Sequence, residues 1–431
     1  MIDDSVSQPQ AASLVRDRDF LKLWIGQTIS KFGSGIGGSA LDLTAVLTLG
    51  ATPIQMGLLA AARTLPVAAL GLFAGVWADR VRRRPLLIGA DISRALLLLL
   101  IPLAAATGFL RLELLLIVGP LVGVLTVFFD VAYQTFVPVL VRRERVMQAN
   151  SRLATSDALA EITTPGLAGV LVSLITAPMA ILLDALSFVT SAFFIWRIRF
   201  DEAAPPMVAK GSHALQEIRE GLRVVTRDPV LRALAGFVAT REFFGSFIGT
   251  LYALYALREL NLGPVLLGVT IGVGGASNLL GTLIVERVTR RLGPGPTIMW
   301  SVTAGCFSVL LLPLAGVAVE LGGSSLVAFG MLALAQASDL IHPLYYVNAL
   351  SVRQAAAPER MLGRVNASMQ VLEGGLAPLG ALAGGVLGST LGVRTTLFIA
   401  AFGIITSRLW LDFSPVPHLR ELPVPHTPTE D

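Results

Sequence analysis

Carboxylates inside long apolar stretches are the residues of this sequence best suited to chemistry. An apolar, partly wet site disfavours the charged form of a carboxylate, which suits proton exchange near neutral pH. The candidates, which we expect away from the basic joints and without an adjacent base, are Asp42, Glu161 and Asp339. The alternative for each is a static ion pair with Arg63, Arg94 or Arg241 that only shapes the fold.

A second set of charges lies in the same stretches and is predicted to form a network. Its members are Lys31, Arg63, Asp91, Arg94, Asp130, Arg241 and Glu242. A charge in hydrocarbon costs at least ~2.5–3.5 kcal/mol on insertion scales, so these side chains should face a wet cavity or one another. Asp91 and Arg94 are three residues apart and can pair on one helix, whereas the adjacent Arg241 and Glu242 should point in different directions. A gate and a role in coupling both stay open for Asp91, Arg94 and Asp130.

The residues that build enzyme and metal sites are not arranged as such sites require. The sequence has one cysteine, Cys306, and four scattered histidines without ligand spacing. It contains no His-Glu-x-x-His, Gly-x-Ser-x-Gly or Walker motif. We therefore predict no catalytic residue, no metal, no cofactor and no enzyme activity, and we exclude ATP as an energy source.

The elements that carry these charges are predicted to be membrane helices. Of the 431 residues, 54% are apolar and only 14% are charged, against about 25% charged in a soluble domain. Apolar stretches near the ~20 residues that cross a bilayer fill most of the chain. Six are expected near 20–47, 54–78, 85–108, 112–139, 150–175 and 178–198, and six more near 230–257, 265–285, 295–316, 324–352, 365–389 and 392–412. The fold class is an all-α polytopic membrane protein.

These stretches divide the chain into two bundles of six helices, at 20–198 and 230–412. A segment at 1–19 precedes them, a linker at 199–229 separates them, and a tail at 413–431, rich in proline, is predicted to be disordered. Within the linker, Leu222 and Val225 belong to an apolar face at helical spacing, with arginines on another side. An amphipathic helix on the membrane surface and a plain linker helix both fit this pattern.

The positions of the arginines predict the orientation. With the N-terminus inside, the inner joints hold most of them, for example Arg82 to Arg84 and Arg287 to Arg291, while the outer joints hold Arg111, Arg258 and Arg394. The positive-inside rule then places both termini in the cytoplasm of a multi-pass protein of the inner (plasma) membrane. The net charge of +4 is no sign of nucleic-acid binding in such a protein.

A short charged motif occurs in matching places of the two bundles. The stretch from Gly75 to Arg84, with Asp79 and Arg80, has a counterpart from Thr282 to Arg291, with Glu286 and Arg287. A repeat of this kind is typical of duplicated transporters. A carboxylate at such a joint can accept hydrogen bonds from the free N–H groups at another helix start.

These features resemble the major facilitator superfamily. The loop signature of that superfamily matches Gly75, Asp79, Arg80 and Arg83, and Leu183-Asp184-Ala185-Leu186-Ser187-Phe188 is similar to its drug:proton antiporter-3 branch, which includes macrolide-efflux and enterobactin-export proteins. The resemblance implies twelve helices in two pseudo-symmetric bundles. It also implies a cytoplasmic latch in which Asp79 contacts the start of the eleventh span and Glu286 that of the fifth.

The function that this resemblance implies is transport. A monomeric carrier in the lipid bilayer would export a small amphipathic organic compound, such as a drug, antibiotic or siderophore-like metabolite, in exchange for protons and by alternating access. A proton-coupled importer, a lipid transporter and a non-transporting membrane sensor stay open as alternatives.

The latch gives a first test at Asp79. We expect Asp79→Asn to slow transport because a neutral amide no longer favours the positive end of a helix dipole, and Asp79→Glu to retain more of it. The measurement is flux at equal amounts of folded protein. If both variants transport like the parent, the latch is wrong.

Overall fold

The computed structural model describes residues 17–78, 82–141, 145–199 and 214–423. Within these ranges the regular structure is helical and no strand occurs. The α-helices are α1 (Arg18–Leu43), α2 (Pro53–Ala78), α3 (Arg83–Ala106), α4 (Leu112–Leu140), α5 (Val146–Ile175), α6 (Ala177–Trp196), α7 (Ala214–Arg227), α8 (Pro229–Leu254), α9 (Pro264–Leu292), α10 (Pro294–Ser308), α11 (Leu311–Glu320), α12 (Ser325–Ala337), α13 (His342–Ala356), α14 (Leu362–Leu391), α15 (Val393–Ser407) and α16 (Leu409–Asp412).

The predicted class of polytopic helical membrane protein is confirmed. In the described part of the chain, ten helical segments are long and apolar enough to cross a membrane. The more polar α1 and α8 have 26 residues each, which at 1.5 Å per residue also exceeds the ~30 Å hydrocarbon core. These two helices are therefore long enough to be further spans, and the number of twelve stays a prediction.

The tenth predicted span is interrupted, which the sequence analysis did not foresee. A 3-10 turn at Ser338–Ile341 separates α12 from α13. Pro343 explains the break, because proline has no N–H to donate to the carbonyl of Asp339 four residues earlier. The interruption places Asp339 on a turn between two helices.

Two local features recur at matching places of the two bundles. A π-helical turn follows α1 at Thr44–Thr48 and α8 at Tyr255–Glu259. The joints before α6 and α15 both have positive φ, 83° at Thr176 and 88° at Gly392. Equivalent irregularities indicate that the two bundles share one backbone plan.

The two bundles meet through α2 with α14 and α5 with α9. Gly57 lies against Gly385, and Gly268 lies against the backbone of Pro165. A Cβ atom at any of these glycines would come within 3 Å of the facing backbone, so the close approach needs residues without side chains. We call this end of the molecule, where α2 begins and α14 ends, the closed end.

The opposite end carries the arginine-rich joints, and we call it the basic end. Arg83 donates to Thr135 Oγ1 at 2.9 Å, which ties α3 to α4. Glu286 is 77% exposed and pairs with Arg290 at 3.5 Å, and Arg287 is exposed beside it. The predicted contact between Glu286 and the start of α5 is therefore not formed in this conformation, in which the bundles meet at the other end.

The other residues of the predicted latch lie at the end of α2 or just after it. Gly75 belongs to the last turns of α2, while Asp79 and Arg80 lie outside the described residues. The contact of Asp79 with α14 therefore stays a prediction.

The linker and the tail both pack on the second bundle. Helix α7 brings Gly221 against the backbone of Arg364 in α14, and Glu220 pairs with the Arg364 guanidinium. The prediction of a disordered tail from residue 413 is wrong for its first part, because Val416 is fully buried and Leu419 accepts a hydrogen bond from the Gly295 N–H at 2.9 Å.

Arg258 gives a test of the closed end. Its Nη2 atom donates to the carbonyl of Val46 at 2.9 Å across the two bundles. A hydrogen bond with a charged donor contributes about 1.5 kcal/mol or more, so Arg258→Ala should shift the balance away from closure by roughly tenfold. Arg258→Lys should restore much of the closure, since its ammonium can reach the same carbonyl.

The measurement is cross-linking of a cysteine pair at Ile54 and Ser389, whose backbone N and Oγ lie 2.9 Å apart. The background is Cys306→Ser, which removes the only native thiol. Equal cross-linking rates with Arg258 and with Arg258→Ala would contradict a role for this contact in closure.

Candidate functional site

Each bundle contains a polar cavity among its helices. The first has a volume of about 200 Å³, receives residues from α1, α2, α3, α4 and α6, and is called the N cavity. The second has a volume of about 340 Å³, receives residues mainly from α8, α10, α12 and α13, and is called the C cavity. Most of the charges predicted from the sequence line one of these two spaces or lie beside them.

The N cavity is built around Arg94. Its guanidinium forms an ion pair with Asp91, one turn earlier on α3, and both side chains are buried. The rings of Phe129 and Phe188 lie 4.3 and 4.1 Å from the guanidinium carbon. Aromatic faces attract a desolvated cation, so Arg94 is held in an apolar site by one carboxylate and two rings. The predicted local pairing of Asp91 with Arg94 is present.

Asp184 is the residue of this cavity that the sequence analysis missed as a site. It lies on α6 with 5% of its surface exposed and accepts hydrogen bonds from the hydroxyls of Ser34 at 3.2 Å and Ser187 at 3.4 Å. A Cβ atom at Gly37 of α1 would overlap the Asp184 carboxylate. The sequence feature that could have identified it is a single aspartate within an apolar run, and the sequence analysis names it only as part of a motif that resembles a family.

Asp42 pairs with Arg63, one of the three partners that the alternative interpretation of the sequence named. Its carboxylate accepts a hydrogen bond from Arg63 Nη1 at 2.7 Å, so the prediction that it lacks an adjacent base is wrong. Lys31 lies 3.9 Å from Asp157 of α5. Asp130 lines the N cavity and is exposed there. Asp42 and Asp157 therefore each have a basic partner, in addition to the buried pair of Asp91 and Arg94.

The C cavity holds a different set of charges. Arg241 Nη1 lies 3.3 Å from Glu242 Oε1, which corrects the expectation that these neighbours point apart. Asp339 points towards α9, where a Cβ atom at Gly274 would lie 2.7 Å from its Oδ2 atom. His342 lines the same cavity and stacks on Tyr346 with ring centroids 6.0 Å apart. The cavity thus combines one arginine, two carboxylates and a histidine with aromatic rings.

Glu161 approaches this cavity from the other bundle. It is exposed on α5, and its backbone carbonyl lies beside Gly275 of α9. Two of the three predicted proton sites, Glu161 and Asp339, therefore lie beside neighbouring glycines of α9, on elements of different bundles, while Asp42 pairs with Arg63 within the first bundle.

A further ion pair joins α13 to α14. Arg353 Nη1 lies 3.5 Å from Glu373 Oε1. The sequence analysis had predicted neither residue as part of a site. Among the described residues, no group of three or more His, Cys, Asp or Glu side chains is arranged to hold a metal ion.

The fold and the cavities define a class of protein. A helical membrane bundle made of two matched halves, closed at one end and with a polar cavity in each half, is the architecture of a secondary transporter. The particular family follows from the sequence profile of the Major Facilitator Superfamily, which matches residues 23–378. The chain belongs to this superfamily.

Named relatives agree with this assignment. An uncharacterized MFS-type transporter of Bacillus subtilis, YfiS, is 28% identical over 404 residues, which are 90% of this chain and 92% of the relative. The multidrug efflux pump Tap of Mycolicibacterium fortuitum is 26% identical over 394 residues, covering 89% and 92%. In fold, the chain is similar to a bacterial homologue of the iron transporter ferroportin, solved in an inward-facing state, with a TM-score of 0.69, 20% identity and coverage of 93% and 99%.

The protein is therefore a multi-pass membrane transporter and not an enzyme. The predicted family and the prediction of a membrane transporter are confirmed.

The packing of the Asp184 carboxylate against Gly37 of α1 gives a test with a matched control. Gly37→Ala would place a methyl group on the Asp184 carboxylate, whereas at Gly38 the nearest atom to an added Cβ is Arg63 Nη2, at 3.6 Å. Overpacking costs about 1–3 kcal/mol. We expect Gly37→Ala to lower the melting temperature in detergent and Gly38→Ala to leave it near that of the parent. Equal melting temperatures would contradict this packing.

Proposed function

We propose that this transporter exports a small amphipathic organic compound in exchange for protons. The observation that carries the proposal is the meeting of the bundles at the closed end, beside cavities that each contain carboxylates and aromatic rings. A carrier of this kind alternates between two such closures. Binding of a proton to a cavity carboxylate would change the relative free energies of the two states.

The arginines support an orientation. The basic end carries Arg83, Arg84, Arg287 and Arg290, and an excess of such residues is typical of the cytoplasmic side. With the basic end in the cytoplasm, both termini are cytoplasmic. The closed end then faces outward, and the structure represents the state that would accept a compound from the cell.

The linings support an amphipathic substrate. The C cavity, at about 340 Å³, lies at the lower end of the ~300–1,000 Å³ that ligand sites occupy. Phe237 and Tyr345, with ring centroids 4.8 Å apart, provide apolar surface, and Arg241 and Asp339 provide charges. A compound with an apolar body and a polar or charged group would satisfy both.

Export is the direction that the relatives favour. Tap is a multidrug efflux pump, and 62% of this chain aligns, at 23% identity, with 65% of macrolide efflux protein A of Streptococcus pyogenes. Proton coupling is supported by Asp339, a carboxylate that lines the C cavity. Glu161 and Asp339 lie beside neighbouring glycines of α9, on elements of different bundles, so their separation changes when the bundles move. Import, lipid transport and sensing without transport are the alternatives, and none of them predicts the lower accumulation that the test below expects.

The test measures accumulation of ethidium, erythromycin and a metabolite panel in cells with and without the gene. We expect lower accumulation of at least one compound in cells that express the protein, and loss of that difference when an uncoupler removes the proton gradient. Higher accumulation would indicate import. A difference that survives the uncoupler would contradict proton antiport, and no difference for any compound would contradict export.

A further inference from the structure

The buried cluster of Asp91, Arg94 and Asp184 contains more negative charge than its one guanidinium balances. These three side chains are 0%, 4% and 5% exposed. The Arg94 guanidinium forms its ion pair with Asp91, and the Asp184 carboxylate accepts hydrogen bonds from the hydroxyls of Ser34 and Ser187. With both carboxylates ionised, the cluster carries one uncompensated negative charge, which is costly in an apolar interior. One bound proton makes it neutral.

The other charges near Asp184 do not remove this imbalance. The charged groups that face it or share its cavity come from α1, α2, α3 and α4, and they are Lys31, Arg63, Asp91, Arg94 and Asp130. Arg63 forms its ion pair with Asp42. Lys31 lies at the side of the cavity next to Asp157, at 3.9 Å. Asp130 adds a further negative charge. From α6 itself, the polar side chain that contacts the Asp184 carboxylate is the uncharged hydroxyl of Ser187.

The backbone of α1 is shaped around this carboxylate. Gly37 leaves the space that the Asp184 side chain fills, and Gly33 leaves the space for Ser187 one turn along α6. Ser34, between these glycines, donates to Asp184. The glycine-rich run of α1 thus forms a seat for the carboxylate, so that a displacement of α1 against α6 would alter its hydrogen bonds.

The cavity also gives a proton a way to reach the group. Asp184 lines the N cavity together with the exposed Asp130. A volume of about 200 Å³ holds several water molecules at ~30 Å³ each. A proton can therefore pass between the cavity and the buried carboxylate without a path through the helices.

We propose that Asp184 is a proton-binding site of the transport cycle, with the Arg94–Asp91 pair as the fixed charge that controls its occupancy. This proposal rests on the proposed proton antiport. Asp184 binds its proton in the outward-open state and still holds it when α1 and α6 come to pack as in this structure. It then releases the proton through the N cavity towards the cytoplasm when movement of α1 changes the hydrogen bond from Ser34.

The first experiment detects the proton without a transported compound. Infrared difference spectra of the purified full chain in lipid, recorded on acidification from about pH 9 to about pH 5, should show the carbonyl band of a newly protonated buried acid. Asp184→Asn, which keeps the size and the hydrogen-bonding capacity of the side chain, should remove one such band. Asp412→Asn, at a half-exposed surface ion pair with Arg408, should leave all bands in place. A spectrum of Asp184→Asn identical to that of the parent would overturn the proposal.

A second variant covers the case in which Asp184→Asn does not fold. Asp91→Asn leaves Arg94 facing Asp184 as its only buried carboxylate, so the proton should bind only at more acidic pH. The expected result is a displacement of the same band towards acidic pH by about one unit or more, because one unit corresponds to ~1.4 kcal/mol of interaction. A band at unchanged pH would contradict control by the Arg94–Asp91 pair and with it the proposal.

A transport measurement separates this proposal from the proposed function. The probe is ethidium in proteoliposomes, with flux driven either by a proton gradient or by unlabelled ethidium on the opposite side. We expect Asp184→Asn to lose at least tenfold in gradient-driven flux and to keep exchange of ethidium for ethidium. Gradient-driven flux that survives in Asp184→Asn overturns the role of Asp184, whereas parent flux that ignores the gradient overturns antiport while the infrared result stands.

Discussion

The constraint on which the structure depends is that hydrocarbon cannot solvate a charge, so each charge in a span needs a partner or a wet surface. Arg94 meets this requirement with Asp91 and two aromatic rings, and Asp42 meets it with Arg63. These contacts connect helices that are neighbours within one bundle. They make each bundle a unit with its own polar interior, which leaves the interface between the bundles to small residues.

Small residues at the interface have a different consequence. Contacts such as Gly57 with Gly385 depend on shape and make no use of charge, so they can be separated without leaving buried charges unpaired. The hydrogen bonds between the bundles at this end are few and involve the backbone of Val46 and Ile54. A molecule with rigid, internally balanced halves and a weakly bonded seam is suited to rocking motions, whereas a seam of buried ion pairs would resist them.

The sequence predicted the class, the two bundles and the Asp91–Arg94 pair because each depends on local spacing or on composition. It could not select Arg63 from the three arginines considered as partners of Asp42, since that contact depends on the relative rotation of α1 and α2. The neighbours Arg241 and Glu242 were misjudged because long side chains can curve together even when their Cα–Cβ bonds diverge. The break at Asp339 could have been found from Pro343, which lies four residues later. Asp184 needed the structure, because only packing against Gly37 shows how deeply it is buried.

The two halves keep the same backbone plan but not the same chemistry. At the joint before the last span of each half, the backbone takes a conformation that is essentially restricted to glycine. The second half has Gly392 there, and the first half has Thr176, with φ of 88° and 83°. A β-branched residue in that conformation costs roughly 1–3 kcal/mol, so the plan persists even where the sequence opposes it. The cavities show the opposite behaviour: Arg94 is buried between rings, whereas Arg241 is partly exposed beside Glu242. The geometry needed for closure is therefore common to both halves, and each half is free to hold different charges.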